Sequence, residues 1–195
     1  MANVKQQIKD LLAVTTQCTV DIVLRHARLN VEEVRVLPTD NHFGRNADGG
    51  DTAPNFEESV IEWPLRPSVA LASPLPLLWS GDGEWLEQSE CWAVDQGAIS
   101  FIIDALTSFH LAIATNLKHV SISLTIDFVR PLVAERPFIL SSRLMRVGRR
   151  ICFLSAEVHQ QQGDRVWLCA RGEHAKATFT RGVQVGNPGT TASKL

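Results

Sequence analysis

The sequence lacks any cysteine pattern that would indicate a metal site or a disulfide framework. Two of its four cysteines, Cys152 and Cys169, lie inside strand-like runs, where a thiol usually acts as a small hydrophobic side chain. The other two are Cys18 and Cys91. Free thiols of this kind are typical of a reducing compartment, so we expect a cytoplasmic protein with no metal site.

The sequence also lacks a strong excess of charge of either sign. Its formal net charge is −2 at pH 7, and its pI is about 6.3. A balance of this kind indicates neither a nucleic acid nor an anionic membrane surface as the partner.

A targeting signal and a convincing membrane span are lacking as well. The N-terminal residues do not combine a basic region with a long apolar core, so we expect no signal peptide. Residues 98–117 form a run about long enough to cross a bilayer. Because this run contains Asp104, His110 and several hydroxyl groups, it predicts a buried helix of a soluble protein instead.

The remaining features suit one domain with an appendage. The 195 residues are 45% hydrophobic, which is enough for a sizeable core. Residues 4–29 have the pattern of one amphipathic helix or of two shorter ones, and residues 31–37 resemble a short strand. Residues 38–59 are rich in turn formers, and the four prolines within 63–78 predict an extended arm over the surface. We therefore predict an N-terminal extension over 1–80, one domain over 81–181 and a flexible tail over 182–195.

The predicted domain is organised around an apolar helix within Trp92–His110. Asp104 is the carboxylate in its middle, and Ser100 and Ser108 lie on the same face, four residues before and after it. Asp95 stands near the expected start of the helix, where a carboxylate can accept hydrogen bonds from first-turn amides. Spacing alone leaves two interpretations of Asp104 open: a capping or salt-bridged residue on a solvated face, or a functional carboxylate.

Strand patterns surround this helix. In residues 119–129 the even positions are apolar, and the odd positions from 121 to 127 are polar. Further strands are predicted over 84–92, 137–147, 151–159 and 165–179. One antiparallel sheet curled around one helix would bury both elements, so we predict an α+β domain.

This order of elements resembles the hotdog-fold thioesterases, in particular the PaaI-like acyl-CoA thioesterase group, over residues 84–181. The family signature is a His-Gly-Gly turn that opens the central helix, with an acidic residue nine positions after the His. Here the turn is Asp95-Gln96-Gly97 and the acid is Asp104. The family strand Val-Ser-(alternating)-aromatic-x-x-Pro is matched from Val120-Ser121 to Pro131. The resemblance implies a hotdog fold, with an antiparallel sheet wrapped around a long central helix.

The resemblance also implies a reaction and its catalytic groups. Asp104 would act as general base on a water or attack the thioester itself, and Ser121 would orient the water. The backbone N–H of Gln96, followed by Gly97 in the turn, would polarise the thioester carbonyl with the amide of Ser89 as its partner. Because the family's sites lie between subunits, Gln96 and Asp104 would come from different copies of a homodimer or a dimer of dimers.

The implied substrate is an acyl-CoA or an acyl-carrier thioester, and no cofactor is implied beyond the coenzyme A of that substrate. Burial in an apolar helix predicts that the central carboxylate is a stronger base than usual. The turn departs from the signature, because Gln96 adds a side chain where the thioester must approach and Asp95 adds a negative charge. The basic candidates for binding the coenzyme A phosphates are Arg130, Arg149, Arg150 and Lys176. Three further residues are expected near the substrate: Asp95, Ser89 and Ser108.

Because the turn at Asp95-Gln96-Gly97 differs from the family signature, two other functions remain possible interpretations of the sequence. One is a different chemistry on the same fold, namely a lyase, isomerase or cyclase that acts on a thioester in a biosynthetic pathway. The other is a module that binds an acyl thioester without hydrolysing it, since a fold alone does not determine a function.

Overall fold

The computed structural model describes residues 2–15, 19–37, 59–74, 92–115, 117–148 and 150–179. The helices and strands, in chain order, are α1 (Ala2–Thr15), α2 (Thr19–Ala27), β1 (Arg35–Leu37), β2 (Val60–Leu65), β3 (Ala72–Pro74), β4 (Trp92–Val94), α3 (Gln96–Thr115), β5 (Lys118–Phe128), β6 (Phe138–Val147), β7 (Ile151–Gln162) and β8 (Arg165–Phe179).

Six of these strands form one antiparallel sheet, in the order β1-β2-β6-β7-β8-β5. The helix α3 lies against one face of this sheet, and ten of its 20 residues are buried. Along β6, β7 and β8 most buried side chains alternate with more exposed ones, as the pleat of a strand with one face on a core requires. The predicted α+β architecture, an antiparallel sheet with a long central helix, is confirmed.

The central helix begins where its capping residue predicted. Asp95 Oδ1 accepts hydrogen bonds from the backbone amides of Gly97, at 2.7 Å, and Ala98, at 3.3 Å, which satisfies two of the orphan donors of the first turn. The helix is long and apolar enough to cross a membrane, but here it is the core helix of the domain. The strand predicted over 84–92 and the loop predicted over 38–59 lie almost wholly outside the described residues.

The N-terminal segment is more closely joined to the domain than predicted. Residues 4–29 form two helices, α1 and α2, which both contact α3. The strand β2 pairs with β6 along its whole length, and Trp63 within it is fully buried. The predicted surface arm over 63–78 is therefore wrong at its beginning. The sheet includes strands that precede residue 80, while the domain limits at 80 and 181 stay predictions.

The proline within β2, Pro64, favoured an irregular arm in the sequence. The pairing of β2 with its two neighbouring strands shows why a proline is tolerated there. Pro64 pairs with Ile139 on the β6 side, whereas β1 covers only residues 60–62 on the other side. Pro64 therefore lies where β2 is an edge, the position at which a residue without an N–H costs no ladder hydrogen bond. The carbonyl of Pro64 still accepts a hydrogen bond from the Asn30 amide, at 3.0 Å.

A buried polar network ties α3 to β2 and β6. His110 is fully buried, and its Nε2 and Nδ1 lie 2.8 Å from the hydroxyls of Ser59 and Ser142, respectively. Trp63 Nε1 donates to the Ser142 hydroxyl at 2.8 Å. Burial lowers the pKa of His110 to about 4, so the ring is neutral in the folded protein at neutral pH.

We predict that acid weakens the fold through this histidine. The unfolded chain binds a proton at His110 near pH 6.5, whereas the folded protein does so only near pH 4. The free energy of unfolding should therefore fall as the pH falls from about 6.5 to about 4, by on the order of 3 kcal/mol for this residue. Urea unfolding at several pH values measures this slope, and His110→Gln should make it shallower. Parallel curves for the two proteins would contradict the prediction.

Candidate active site

Asp104 lies at the centre of a cluster of polar side chains between α3 and the sheet. Its Oδ1 accepts a hydrogen bond of 2.7 Å from the Ser121 hydroxyl and one of 3.2 Å from Lys176 Nζ. The Nε2 atom of His174 is also 3.2 Å from this oxygen. The side chain of Asp104 keeps 41% of its exposure, so a ligand can reach it from outside the core.

The pairing of β5 with β8 brings these side chains together. Ser121 is directly opposite Lys176 in the ladder, and a bulge follows between Ser121 and Ser123. A bulge inserts one residue, so the side chains beyond it change faces relative to those before it. Ser121 therefore faces the helix, although the alternation of residues 119–129 puts it among the outward polar positions. Leu124 and Ile126 face the same side beyond the bulge and pack on the core.

Lys176 is fully buried, which corrects its assignment to the coenzyme A phosphates. Its ammonium group donates to the hydroxyls of Ser108, at 2.6 Å, and Ser121, at 3.0 Å, in addition to Asp104. These three acceptors match the three protons of an ammonium group. Burial lowers the pKa of Lys176, and the negative charge of Asp104 opposes that shift.

Asp104 is a weaker base than the sequence predicted. Burial raises the pKa of this carboxyl, but the hydrogen bond from Ser121 and the positive charge of Lys176 outweigh it, and the net pKa lies below the ordinary value of 3.8. The expectation of a raised basicity considered only the apolar helix. Asp104 is therefore a carboxylate throughout the neutral pH range, available as a proton acceptor or as a nucleophile.

His174 is the member of the cluster that the sequence analysis missed. Its Nδ1 lies 2.7 Å from the Thr107 hydroxyl. That hydroxyl also lies 2.7 Å from the carbonyl of Ile103, so a ring with its proton on Nδ1 can donate to the hydroxyl while the hydroxyl donates to the carbonyl. In that tautomer the lone pair of Nε2 faces Asp104, and Nε2 is buried without a hydrogen-bond partner among the described residues. Burial and the charge of Lys176 lower the pKa of His174 to about 4.

One signal in the sequence could have located His174 and Lys176. Along β8 the inward positions are Ala170, Gly172, His174, Lys176 and Thr178, so two ionisable residues interrupt a row that otherwise holds small side chains. An ionisable group at a core position needs a partner. In this fold the partner is the carboxylate of the helix that the sheet covers.

The predicted oxyanion donors lie at the start of α3. Gln96 and Gly97 are exposed, and Gln96 precedes Asp104 by eight residues, which is about 12 Å along a helix. The Gly97 amide is already bonded to Asp95, while the Gln96 amide has no partner among the described residues. A Cβ at position 97 would meet Asp95 Oδ1 at 2.9 Å, so glycine there allows the cap to approach. One protomer therefore does not bring Gln96 next to its own Asp104.

The other predicted site residues fall into three groups. Ser108 belongs to the cluster through Lys176, whereas Ser100 donates to the carbonyl of Gln96. Arg150 is exposed at the turn between β6 and β7, and Arg130 stacks on a tryptophan at the far end of β5. Ser89 and Arg149 lie outside the described residues.

Comparison with known proteins agrees with this fold. Residues 100–182 match the family described as acyl-CoA thioesterase N-terminal domain. The fold is similar to thioesterase superfamily member 2 from Mus musculus, with a TM-score of 0.55 and 14% identity over 89% of this chain and 96% of that one. It is also similar to the zebra fish thioesterase superfamily member 2, with a TM-score of 0.54 and 13% identity over 87% and 94% of the two chains. No curated protein matches the sequence.

Proposed function

Because the chain carries a hotdog domain of the thioesterase superfamily, we propose that the protein hydrolyses an acyl-CoA or acyl-carrier thioester to a free acid and a thiol. One observation carries the proposal: the accessible carboxylate of Asp104 accepts from Ser121 and Lys176 at 2.7 and 3.2 Å. The groups that perform the reaction are all amino-acid side chains and backbone amides, with coenzyme A present only as part of the substrate. A cytoplasmic location stays a prediction.

The proposed reaction begins with a water bound to Asp104. The carboxylate takes a proton from this water while the water oxygen bonds to the thioester carbon, and the carbonyl oxygen becomes an oxyanion. The intermediate collapses by breaking the carbon–sulfur bond, and the departing sulfur takes the proton back from Asp104. Since Asp104 is ionised at neutral pH, it is also able to attack the thioester carbon directly.

His174 and Ser121 support the proton transfer in this proposal. When Asp104 holds the proton from water, its carboxyl O–H can donate to the lone pair of His174 Nε2, 3.2 Å from Oδ1. Ser121 Oγ lies beside both Asp104 and Lys176, where it can orient the water. A proton taken from water is thereby stabilised by a group that has no other partner among the described residues.

A second copy of the chain completes the proposed site. The amide of Gln96 is about 12 Å from Asp104 along its own helix, too far for both to contact one thioester carbonyl. The strand β5, which carries Ser121, is at the edge of the described sheet. Its side chains Val120 and Ile122 are 53% and 55% exposed, which suits pairing with another edge. We therefore infer a homodimer or a dimer of dimers in which Gln96 of one copy serves Asp104 of the other.

This arrangement predicts complementation between two inactive variants. Gln96→Pro removes one amide while keeping the helix, because proline is tolerated at the first helical position. Asp104→Asn removes the base. In a heterodimer of the two, one site combines an intact Asp104 with an intact Gln96, so an equimolar mixture should recover about a quarter of the wild-type activity. No recovery after subunit exchange would contradict a shared site.

The function itself is tested by thiol release. Purified protein is offered a series of acyl-CoA and acyl-carrier thioesters, and the released thiol and the acyl product are measured by absorbance and mass spectrometry. Hydrolysis predicts a free thiol and an acid in equal amounts. An acyl product with a changed double bond or a new ring, or binding without turnover, would replace the proposal by one of the alternatives described above.

A further inference from the structure

Two arginines flank one tryptophan at the end of the sheet. The guanidinium carbon of Arg130 lies 3.8 Å from the ring centroid of Trp167, and that of Arg165 lies 5.8 Å from it. Arg130 is partly buried, whereas Arg165 is exposed. Stacking on an indole holds a guanidinium in place and leaves its N–H donors free in the ring plane.

These two positive charges are not neutralised within the described part of the chain. Arg25, Arg28 and Arg171 each have a carboxylate within 3 Å, but neither Arg130 nor Arg165 has one there. The Nη1 atom of Arg130 is buried and has no hydrogen-bond partner among the described residues. A buried donor without a partner is costly, and the unneutralised positive charge of the partly exposed guanidinium would be stabilised by an anion bound at its accessible side.

Backbone hydrogen bonds link the segment that carries Arg130 to the segment that precedes α3. The amide of Arg130 donates to the carbonyl of Cys169, two residues after Trp167. Two residues after Arg130, the carbonyl of Leu132 accepts from the amide of Val94 at 2.7 Å, and Val94 precedes Gln96 by two residues. Arg130 and the proposed oxyanion donor are thus connected through short segments of chain.

We propose that Arg130 and Arg165, held by Trp167, bind phosphate groups of the pantetheine-bearing part of the substrate. The inference rests on the proposed function, which puts the thioester carbonyl at Gln96. The pantetheine arm then runs from Gln96 towards the arginine cluster and delivers its phosphate there. Two sources share this chemistry: the nucleotide of coenzyme A, and the phosphopantetheine arm of a carrier protein.

Kinetics of charge-removing variants test the site. Arg165→Gln and the double variant with Arg130→Gln are compared with Arg143→Gln, a control that removes an exposed arginine of β6. For acyl-CoA the double variant should raise KM roughly ten- to a hundredfold with kcat within about twofold, as expected for lost binding that is uniform through the reaction. Arg165→Gln should raise KM less, and Arg143→Gln should have no effect. An acyl-pantetheine without phosphate should show the same KM for all four proteins.

The comparison of substrates identifies the source of the phosphate. Equal rises in KM for acyl-CoA and acyl-carrier protein would assign the site to the pantetheine phosphate, and a rise for acyl-CoA alone would assign it to the nucleotide. An unchanged KM for both substrates in the folded Arg165→Gln and double variants would overturn the inference. Calorimetric titration with 3′-phospho-ADP and with phosphopantetheine is independent of turnover. If wild-type protein binds either compound, and the double variant does not, the inference stands even where no thioester is hydrolysed.

Discussion

Replacing Asp104 by asparagine is expected to lower kcat for thioester hydrolysis by a hundred- to ten-thousand-fold, the range typical for removal of a general base. The amide keeps the shape of the side chain but neither accepts a proton from water nor attacks the thioester. Thiol release under saturating substrate measures the loss. Asp127→Asn is the matched control, because Asp127 is an exposed carboxylate of β5 paired with Arg171 and should leave kcat unchanged. A kcat for Asp104→Asn within threefold of wild type would exclude Asp104 as the catalytic carboxylate.

The same substitution has a second effect that can be separated from catalysis. Asp104 raises the pKa of the buried Lys176, so its loss leaves an ammonium group in the core without a counter-charge, which destabilises the fold. The folded pKa of Lys176 would then fall further below its unfolded value, and stability would rise with pH as the lysine loses its proton. The double variant with Lys176→Met should recover the melting temperature of Asp104→Asn at neutral pH. It should not recover activity.

Replacing Trp63 by alanine is expected to lower the free energy of unfolding by roughly 3–5 kcal/mol. Trp63 is fully buried in β2, and its loss leaves a large cavity between the sheet and α3. It also removes the Nε1 donor of the Ser142 hydroxyl, which connects to His110. Urea unfolding monitored by circular dichroism measures the change in stability.

Two companion variants separate the causes of this loss. Trp63→Phe keeps most of the volume but removes the N–H, so its cost should be smaller, about 1–3 kcal/mol. Trp92→Ala removes a tryptophan that is 40% exposed and should cost less than Trp63→Ala. If Trp63→Ala left the stability of the sheet unchanged, β2 would be an appendage, as the proline-rich sequence had suggested.

Most of the fold was predictable from the period-two patterns of the strands and the apolar pattern of the central helix. Four long antiparallel strands after one apolar helix have few ways to bury their apolar faces, and a sheet around the helix is one of them. The place of β2 inside the sheet could not be predicted from its own residues. Pro64 has no N–H to donate, so it fits in β2 only because β1 ends before it and leaves that part of β2 as an edge. That is a property of the neighbouring strand and not of the segment itself.

The central carboxylate of the site was predictable from the sequence, whereas the buried side chains around it were not. Asp104 is a carboxylate in an apolar helix, which demands a partner wherever the chain places it. His174 and Lys176 are about 70 residues away from Asp104 in sequence, and only the packing of α3 against β8 brings them beside it. Their presence reverses the sign of the pKa shift that the helix alone would give, because nearby charges and hydrogen bonds act over a few ångströms.

The sequence by itself determined the helix around Asp104, its cap at Asp95, the strands that follow, and the resemblance to a thioesterase domain, since each depends on residues that are neighbours in the chain. The tertiary structure decided which partners Asp104 has and which way Ser121 faces after the bulge. Those properties depend on register and on packing between distant segments, which local periodicity does not encode. The separation of about 12 Å between Gln96 and Asp104 of one copy, in contrast, follows from the rise of the helix alone, and only the proposed packing of two copies would bring these residues together.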